Sequence, residues 1–106
     1  MFVDFGFPTI ANNAIARNTA SSDGVLCLMS ACALVSNNTI TENEASSGGG
    51  IFALRGVSLI TRNTIVGNSA SRVGGAAGIY FGGTATNNTI TGNCAAEDGG
   101  GLALSG

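Results

Sequence analysis

The chain has 106 residues, a net charge of −2, 44% hydrophobic residues, 17 glycines and no tryptophan. This length allows one domain with its core, and the aliphatic content distinguishes the chain from a disordered glycine-rich linker. A small net charge without a basic block argues against binding to nucleic acid or anionic membranes, and no apolar run is long enough for a transmembrane segment.

Residues 1–11 precede the first copy of a repeated phrase, and we interpret them as the end of a preceding coil. They lack the positive flank and the long apolar stretch of a signal peptide. Their last part, Pro8-Thr9-Ile10-Ala11, predicts a short strand that enters a tight turn. We expect the aromatic residues near the N-terminus to cover that end of the core: Phe2, Phe5 and Phe7.

One phrase is found four times in the chain, and its cleanest copy is Asn87-Asn88-Thr89-Ile90-Thr91-Gly92-Asn93. The copies start at residues 12, 37, 62 and 87, which predicts one structural unit of about 25 residues, copied and stacked. We therefore treat 1–106 as one repeat region with repeats 12–36, 37–61, 62–86 and 87–106. Because the chain starts and stops partway through a repeat, we expect it to belong to a larger protein.

Each phrase predicts a turn followed by a short strand in which polar and apolar residues alternate. The isoleucine then points into the core, and the predicted core ladder is Ile15, Ile40, Ile65 and Ile90. Asparagine tolerates left-handed backbone, and stacked side-chain amides can satisfy buried polar groups. The predicted structural corners, which we do not interpret as glycosylation acceptors, are Asn13, Asn38, Asn63, Asn88, Asn18, Asn43, Asn68 and Asn93.

Each unit then continues through a glycine-containing loop of small residues, which includes Ala20, Ala45, Ala70 or Ala95. A second strand is predicted at 25–28, 51–54, 79–81 and 102–104. In the third copy we expect an insertion of about three residues before this strand and an equal deletion after it. Three short strands per repeat predict a three-sided all-β solenoid whose coils pair in parallel, about 4.8 Å apart.

The sequences Gly49-Gly50-Ile51-Phe52 and Ile40-Thr41-Glu42-Asn43 carry a resemblance to known repeats. They are similar to the paired Gly-Gly-apolar-apolar and Phe-x-x-Asn motifs of polymorphic outer membrane proteins, with Ile in place of Phe. The phrase also resembles the repeats of right-handed parallel β-helix proteins of the pectate-lyase-like superfamily. This resemblance implies a right-handed, single-stranded parallel β-helix of about four coils.

The same resemblance implies a role. We expect a structural segment of a bacterial protein that is secreted or displayed on the cell surface, acting as a scaffold for adhesion or carbohydrate contact. The expected partners are further coils of the same chain, a second copy at the open ends, and carbohydrate. A non-catalytic portion of a polysaccharide lyase or glycoside hydrolase is the alternative.

A catalytic or calcium site in such a fold needs two or three neighbouring carboxylates. Asp23 and Asp98 share a repeat position, but Gly48 and Val73 lie between them, and the chain has no histidine. Glu97 and Asp98 remain the least implausible ligands. We therefore predict no catalytic residue, cofactor site or metal site, and we leave open whether the whole protein is an enzyme.

Two further patterns have an alternative reading. Rows of the form Thr-x-Thr resemble the ice-binding face of some antifreeze proteins, but exposed threonine is also common in strands. The rows are complete at Thr39 and Thr41 and at Thr89 and Thr91, and they are interrupted at Val66 and in the first copy. The three cysteines lack metal-binding spacing, and we expect small buried hydrophobic residues of unassigned redox state at Cys27, Cys32 and Cys94.

Overall fold

The computed structural model describes residues 1–105, which form sixteen short strands in four parallel sheets. Sheet A contains β1 (Phe2–Asp4), β4 (Leu26–Met29), β8 (Ile51–Leu54), β12 (Ala77–Tyr80) and β16 (Leu102–Ser105). Sheet B contains β2 (Thr9–Ala11), β5 (Leu34–Ser36), β9 (Leu59–Thr61) and β13 (Thr84–Thr86). Sheet C contains β3 (Ala14–Ala16), β6 (Thr39–Thr41), β10 (Thr64–Val66) and β14 (Thr89–Thr91). Sheet D contains β7 (Glu44–Ala45), β11 (Ser69–Ala70) and β15 (Cys94–Ala95).

The chain visits sheets A, B, C and D in turn, so each circuit is one coil of a β-solenoid. In sheet C, Ile40 pairs with Ile15 on one side and with Ile65 on the other, each one 25-residue repeat away. Equivalent residues of successive coils therefore lie directly above one another. The predicted all-β solenoid with about four coils and a 25-residue period is confirmed.

The core lies inside the coils and is built from stacked aliphatic side chains. Ile40 and Ile65 are completely buried, while Ile15 and Ile90, in the outer coils, are partly buried and pack against the same core. Sheet B contributes a second buried row that includes Val35. Each fully buried aliphatic side chain of this size stabilises the fold by about 1.5–3 kcal/mol.

The structure has one more strand per coil than the sequence pattern predicts. Ala45 and Ala70, predicted in loops, lie in the two-residue strands of sheet D and are 3% and 2% exposed. Ala95 lies in the same sheet, paired with Ala70. A methyl group fits the narrow corner between sheets C and A, so short strands form there without a branched apolar residue to announce them.

The irregularity in the third repeat is also smaller than predicted. Ile51 pairs with Ala77, one residue more than the period, and Leu59 pairs with Thr84, which restores the period. The insertion and the deletion are therefore one residue each, and the strand begins at Ala77 rather than at residue 79.

The expected aromatic cover at the N-terminal end is wrong. Phe2, Phe5 and Phe7 are 66%, 66% and 84% exposed. Because side chains alternate along β1, Val3 is the residue that packs against the core, and Phe2 points away from it.

The buried isoleucine ladder generates a stability prediction. Replacing Ile65 by Asp places a charge in the centre of a fully buried apolar row, which should cost on the order of 5 kcal/mol or more and prevent folding. The matched control, Thr64→Ala, changes an exposed neighbour on the same strand and should alter the free energy of unfolding by less than about 0.5 kcal/mol. Circular dichroism during urea unfolding measures both; a cooperatively folded Ile65→Asp variant would contradict the inward assignment.

Candidate functional site

Two columns of asparagines form the corners on either side of sheet C. Asn13, Asn38, Asn63 and Asn88 stand between sheets B and C, and Asn18, Asn43, Asn68 and Asn93 stand between sheets C and D. The four in the two middle coils are each only 1% exposed: Asn38, Asn43, Asn63 and Asn68. These corners are therefore polar groups in the interior, and each requires hydrogen-bond partners.

The side-chain amides supply those partners to one another. The Asn38 Nδ2 group donates to Asn63 Oδ1 at 3.0 Å and to the Ile10 carbonyl oxygen at 2.8 Å. The Asn38 backbone N–H donates to the same Asn63 Oδ1 at 3.0 Å. The pattern is repeated in the second column, where Asn43 Nδ2 donates to Asn68 Oδ1 at 2.9 Å. In residues 1–105, no buried side-chain nitrogen or oxygen lacks a hydrogen-bond partner.

The residue before each ladder asparagine turns the chain. All eight have left-handed backbone, with φ between 55° and 67°: Asn12, Asn37, Arg62, Asn87, Arg17, Glu42, Gly67 and Gly92. Asparagine and glycine adopt this conformation readily, whereas Arg and Glu adopt it at some cost. The first residue of each corner therefore makes the bend, and the second forms the ladder.

The acidic residues singled out from the sequence lie apart. Asp23 bridges to Ser47 rather than Gly48, and Asp98 bridges to Val73. Glu97 and Asp98 are exposed, and the described part of the chain holds no group of three or more His, Cys, Asp or Glu side chains that could bind a metal ion. Arg17 and Glu42 form an exposed ion pair at 3.9 Å, which contributes little to stability.

The cysteines differ in their exposure. Cys27 is buried, as expected, and burial raises the pKa of its thiol, with a further increase from the carboxylate of Asp23 and a decrease from the N-terminal amine. Cys32 and Cys94 are exposed, so the expectation of burial is wrong for them. Cys94 points outward on β15 because its neighbour Ala95 takes the inward position. The three thiols described here are free.

The threonine rows lie on the outer face of sheet C. Thr39, Thr64 and Thr89 are exposed in one column, and Thr41, Val66 and Thr91 form the next. In the first coil, Ala14 and Ala16 occupy these two columns. The structure therefore retains both interruptions that the sequence shows.

The outer face of sheet A carries a groove of about 390 Å³ that sequence reasoning did not identify. Its lining combines two outward aromatic residues of the sheet with charged residues from the adjoining loops. The lining residues are Asp23, Ser47, Phe52, Leu54, Arg72, Val73, Tyr80 and Phe81. We refer to this set as the aromatic groove.

The aromatic rings rest on a glycine. Phe52 pairs with Gly78 on the neighbouring strand, and a Cβ atom at position 78 would lie 3.0 Å from Tyr80 Cε2 and 3.4 Å from Phe52 Cδ2. The Phe52 and Tyr80 ring centroids are 5.4 Å apart with their planes tilted by 42°, within the range of favourable aromatic pairs. Phe52 is buried, Tyr80 is half-buried, and Phe81 is 61% exposed, so Tyr80 and Phe81 offer accessible ring surface.

The polar groups of the aromatic groove surround the Tyr80 hydroxyl. Burial raises the pKa of Tyr80 above its ordinary value of 10.0; Arg72 lowers this pKa and Asp23 raises it. Both charges therefore act on the same ring. Concave surfaces that combine aromatic side chains with a few polar groups are typical of small-molecule sites. The aromatic groove can thus hold a ligand that has both an apolar face and hydrogen-bonding groups.

Two features could have indicated the aromatic groove from the sequence. Strict alternation in β8 places Ile51 inward and therefore Phe52 outward, and a large outward ring beside a glycine indicates a cleft. The one-residue register shift concealed the pairing, since the predicted strand at 79–81 aligned Tyr80 incorrectly.

The family of right handed beta helix regions matches residues 4–106. The match covers nearly the whole chain, and the chain belongs to this family. No curated protein and no solved structure is significantly similar to it. In residues 1–105, no helix is long and apolar enough to span a membrane.

The asparagine ladder generates a second stability prediction. Asn63→Ala removes four side-chain hydrogen bonds and leaves buried groups of Asn38, Asn88 and Val35 without partners. We expect a loss of about 3 kcal/mol or more in the free energy of unfolding. In the control, Asn37→Gly, glycine accepts the φ of 55° at an exposed position, and the change should be within about 0.5 kcal/mol. Equal losses for both variants in urea unfolding would refute the ladder.

The aromatic groove generates a spectroscopic prediction. Tyr80 is the only tyrosine, so ultraviolet titration of tyrosinate reports this side chain alone. Its pKa should lie above the ordinary value of 10.0, fall in Asp23→Asn and rise further in Arg72→Gln. Glu42→Gln removes one negative charge outside the aromatic groove and serves as the control. A titration unaffected by both groove substitutions would show that these charges do not face the ring.

Proposed function

We propose that this chain is a rigid, non-catalytic β-helix segment of a secreted or cell-surface protein, and that it contacts carbohydrate. The aromatic groove is the single observation that carries this proposal. The resemblance of Gly49-Gly50-Ile51-Phe52 and Ile40-Thr41-Glu42-Asn43 to the repeats of bacterial surface proteins supports the proposed location.

The lining chemistry of the aromatic groove favours carbohydrate over a purely apolar ligand. A sugar ring has an apolar face of C–H groups, which packs on aromatic rings, and an edge of hydroxyls, which needs donors and acceptors. Tyr80 and Phe81 provide ring surface, and Asp23 and Arg72 provide an acceptor and a donor in the same groove. Burial of the carbon-rich face would contribute the affinity, and the polar groups would orient the sugar.

The rest of the fold supports a scaffold role. The asparagine ladders and the stacked isoleucines place Phe52 and Tyr80 on neighbouring strands in one register. A pre-formed groove loses less conformational entropy on binding than a flexible loop does. A solenoid of this kind therefore suits repeated contacts with an extended polymer.

A non-catalytic wall of a polysaccharide lyase or glycoside hydrolase would use the same groove. The two roles differ in the fate of the polymer, because an adhesive scaffold leaves the bound glycan intact. Incubation of the whole protein with a bound polysaccharide, followed by chain-length analysis, separates them.

The proposal predicts binding that depends on the two accessible rings. On an array of oligosaccharides, the chain should bind at least one neutral or acidic glycan, and Tyr80→Ala and Phe81→Ala should each weaken that binding about tenfold or more, which corresponds to about 1.4 kcal/mol. Thr64→Ala, on the exposed face of sheet C, should bind as the parent does. Absence of glycan binding, or binding that survives both aromatic substitutions, would refute the proposal.

A further inference from the structure

We infer that the aromatic groove takes a neutral sugar unit, and that Asp23 and Arg72 hold it together through its hydroxyl groups. This inference rests on the proposed carbohydrate contact and specifies its ligand class.

The two charged side chains line one groove without pairing with each other. The only ion pair in residues 1–105 joins Arg17 to Glu42. The carboxylate of Asp23 and the guanidinium of Arg72 therefore retain hydrogen-bonding capacity toward the groove that they both line.

The backbone fixes both residues at the rim. Asp23 forms a parallel bridge with Ser47 of the next coil. The Arg72 N–H donates to the Ser46 carbonyl oxygen at 2.9 Å, and the Arg72 carbonyl oxygen accepts from the Glu97 N–H at 2.8 Å. Inter-coil hydrogen bonds thus hold the carboxylate and the guanidinium at defined positions beside Tyr80.

The pairing of these two groups selects for hydroxyls. A carboxylate only accepts hydrogen bonds and a guanidinium only donates them, whereas a sugar hydroxyl does both. Two neighbouring hydroxyls can therefore satisfy Asp23 and Arg72 at the same time. Leu54 and Val73, in the same lining, leave an apolar surface for the C–H face of the ring.

An acidic sugar fits this arrangement less well. A uronate carboxylate would be attracted by Arg72 but repelled by Asp23, and it would approach a chain with a net charge of −2. The opposite charges at the rim cancel any net attraction for an anion. The groove therefore provides hydrogen-bond specificity without electrostatic steering.

The test uses matched pairs of hexasaccharides that differ only in oxidation at C6: glucose against glucuronic acid, mannose against mannuronic acid, and galactose against galacturonic acid. In titration calorimetry, the neutral member of a pair should bind at least tenfold more tightly than the acidic member. Its affinity should change less than twofold between 50 and 300 mM salt, because no net charge is paired.

Substitutions give the sharper result, because the two ligand classes predict opposite effects at one residue. For a neutral sugar, Asp23→Asn and Arg72→Gln should each weaken binding by about fivefold or more. For an acidic sugar, Arg72→Gln should weaken binding while Asp23→Asn strengthens it. Glu42→Gln and Arg17→Gln make the same charge changes outside the aromatic groove and should leave affinity unchanged.

Tighter binding of the acidic member, or stronger binding in Asp23→Asn, overturns the neutral-ligand inference and leaves the proposed carbohydrate contact in place. If no pair binds in a manner that depends on Tyr80 and Phe81, the proposed function fails and this inference fails with it.

Discussion

The hydrogen-bonded stacking of asparagine side chains at the two corners beside sheet C is the interaction on which the remaining structure depends. A coil that turns sharply buries backbone N–H and carbonyl groups that no strand partner can reach, and each such group costs free energy if it stays unpaired. An asparagine amide carries both donors and an acceptor. Asn38 and Asn63 therefore satisfy each other and the adjacent backbone only when they are one full coil apart. That requirement imposes the 25-residue period.

The ladders also determine where the chain can vary. Sheets B and C, which flank the ladder of Asn38 and Asn63, keep the period at every pair of strands. The one-residue shift is confined to sheet A and its loops, and it is corrected before β13 begins. The aromatic groove lies on that same sheet. Register constraint and sequence variation thus occupy different parts of the coil, and the chemistry is found where the constraint is weakest.

Repetition explains which features could be predicted from the sequence. The isoleucine rows and the asparagine corners recur in every copy, so their roles follow from spacing alone. Features that depend on one copy were missed or wrong: the size of the shift before Ala77, the exposure of Cys32, and the exposed Phe7. The aromatic groove is of this kind, because it combines single residues from different loops and strands. Spacing alone could not bring Asp23 and Arg72 together, since the approach of their side chains depends on how the glycine-rich loops fold.

The most direct test of this account is hydrogen exchange of the asparagine side-chain amides, followed by nuclear magnetic resonance. The buried amides of Asn38, Asn43, Asn63 and Asn68 should exchange at least about a hundredfold more slowly than the exposed amides of Asn12, Asn37 and Asn87, because they open only when the coils separate. Equal exchange rates in the two groups would show that the ladders do not hold the coils together, and the account would be wrong at its foundation.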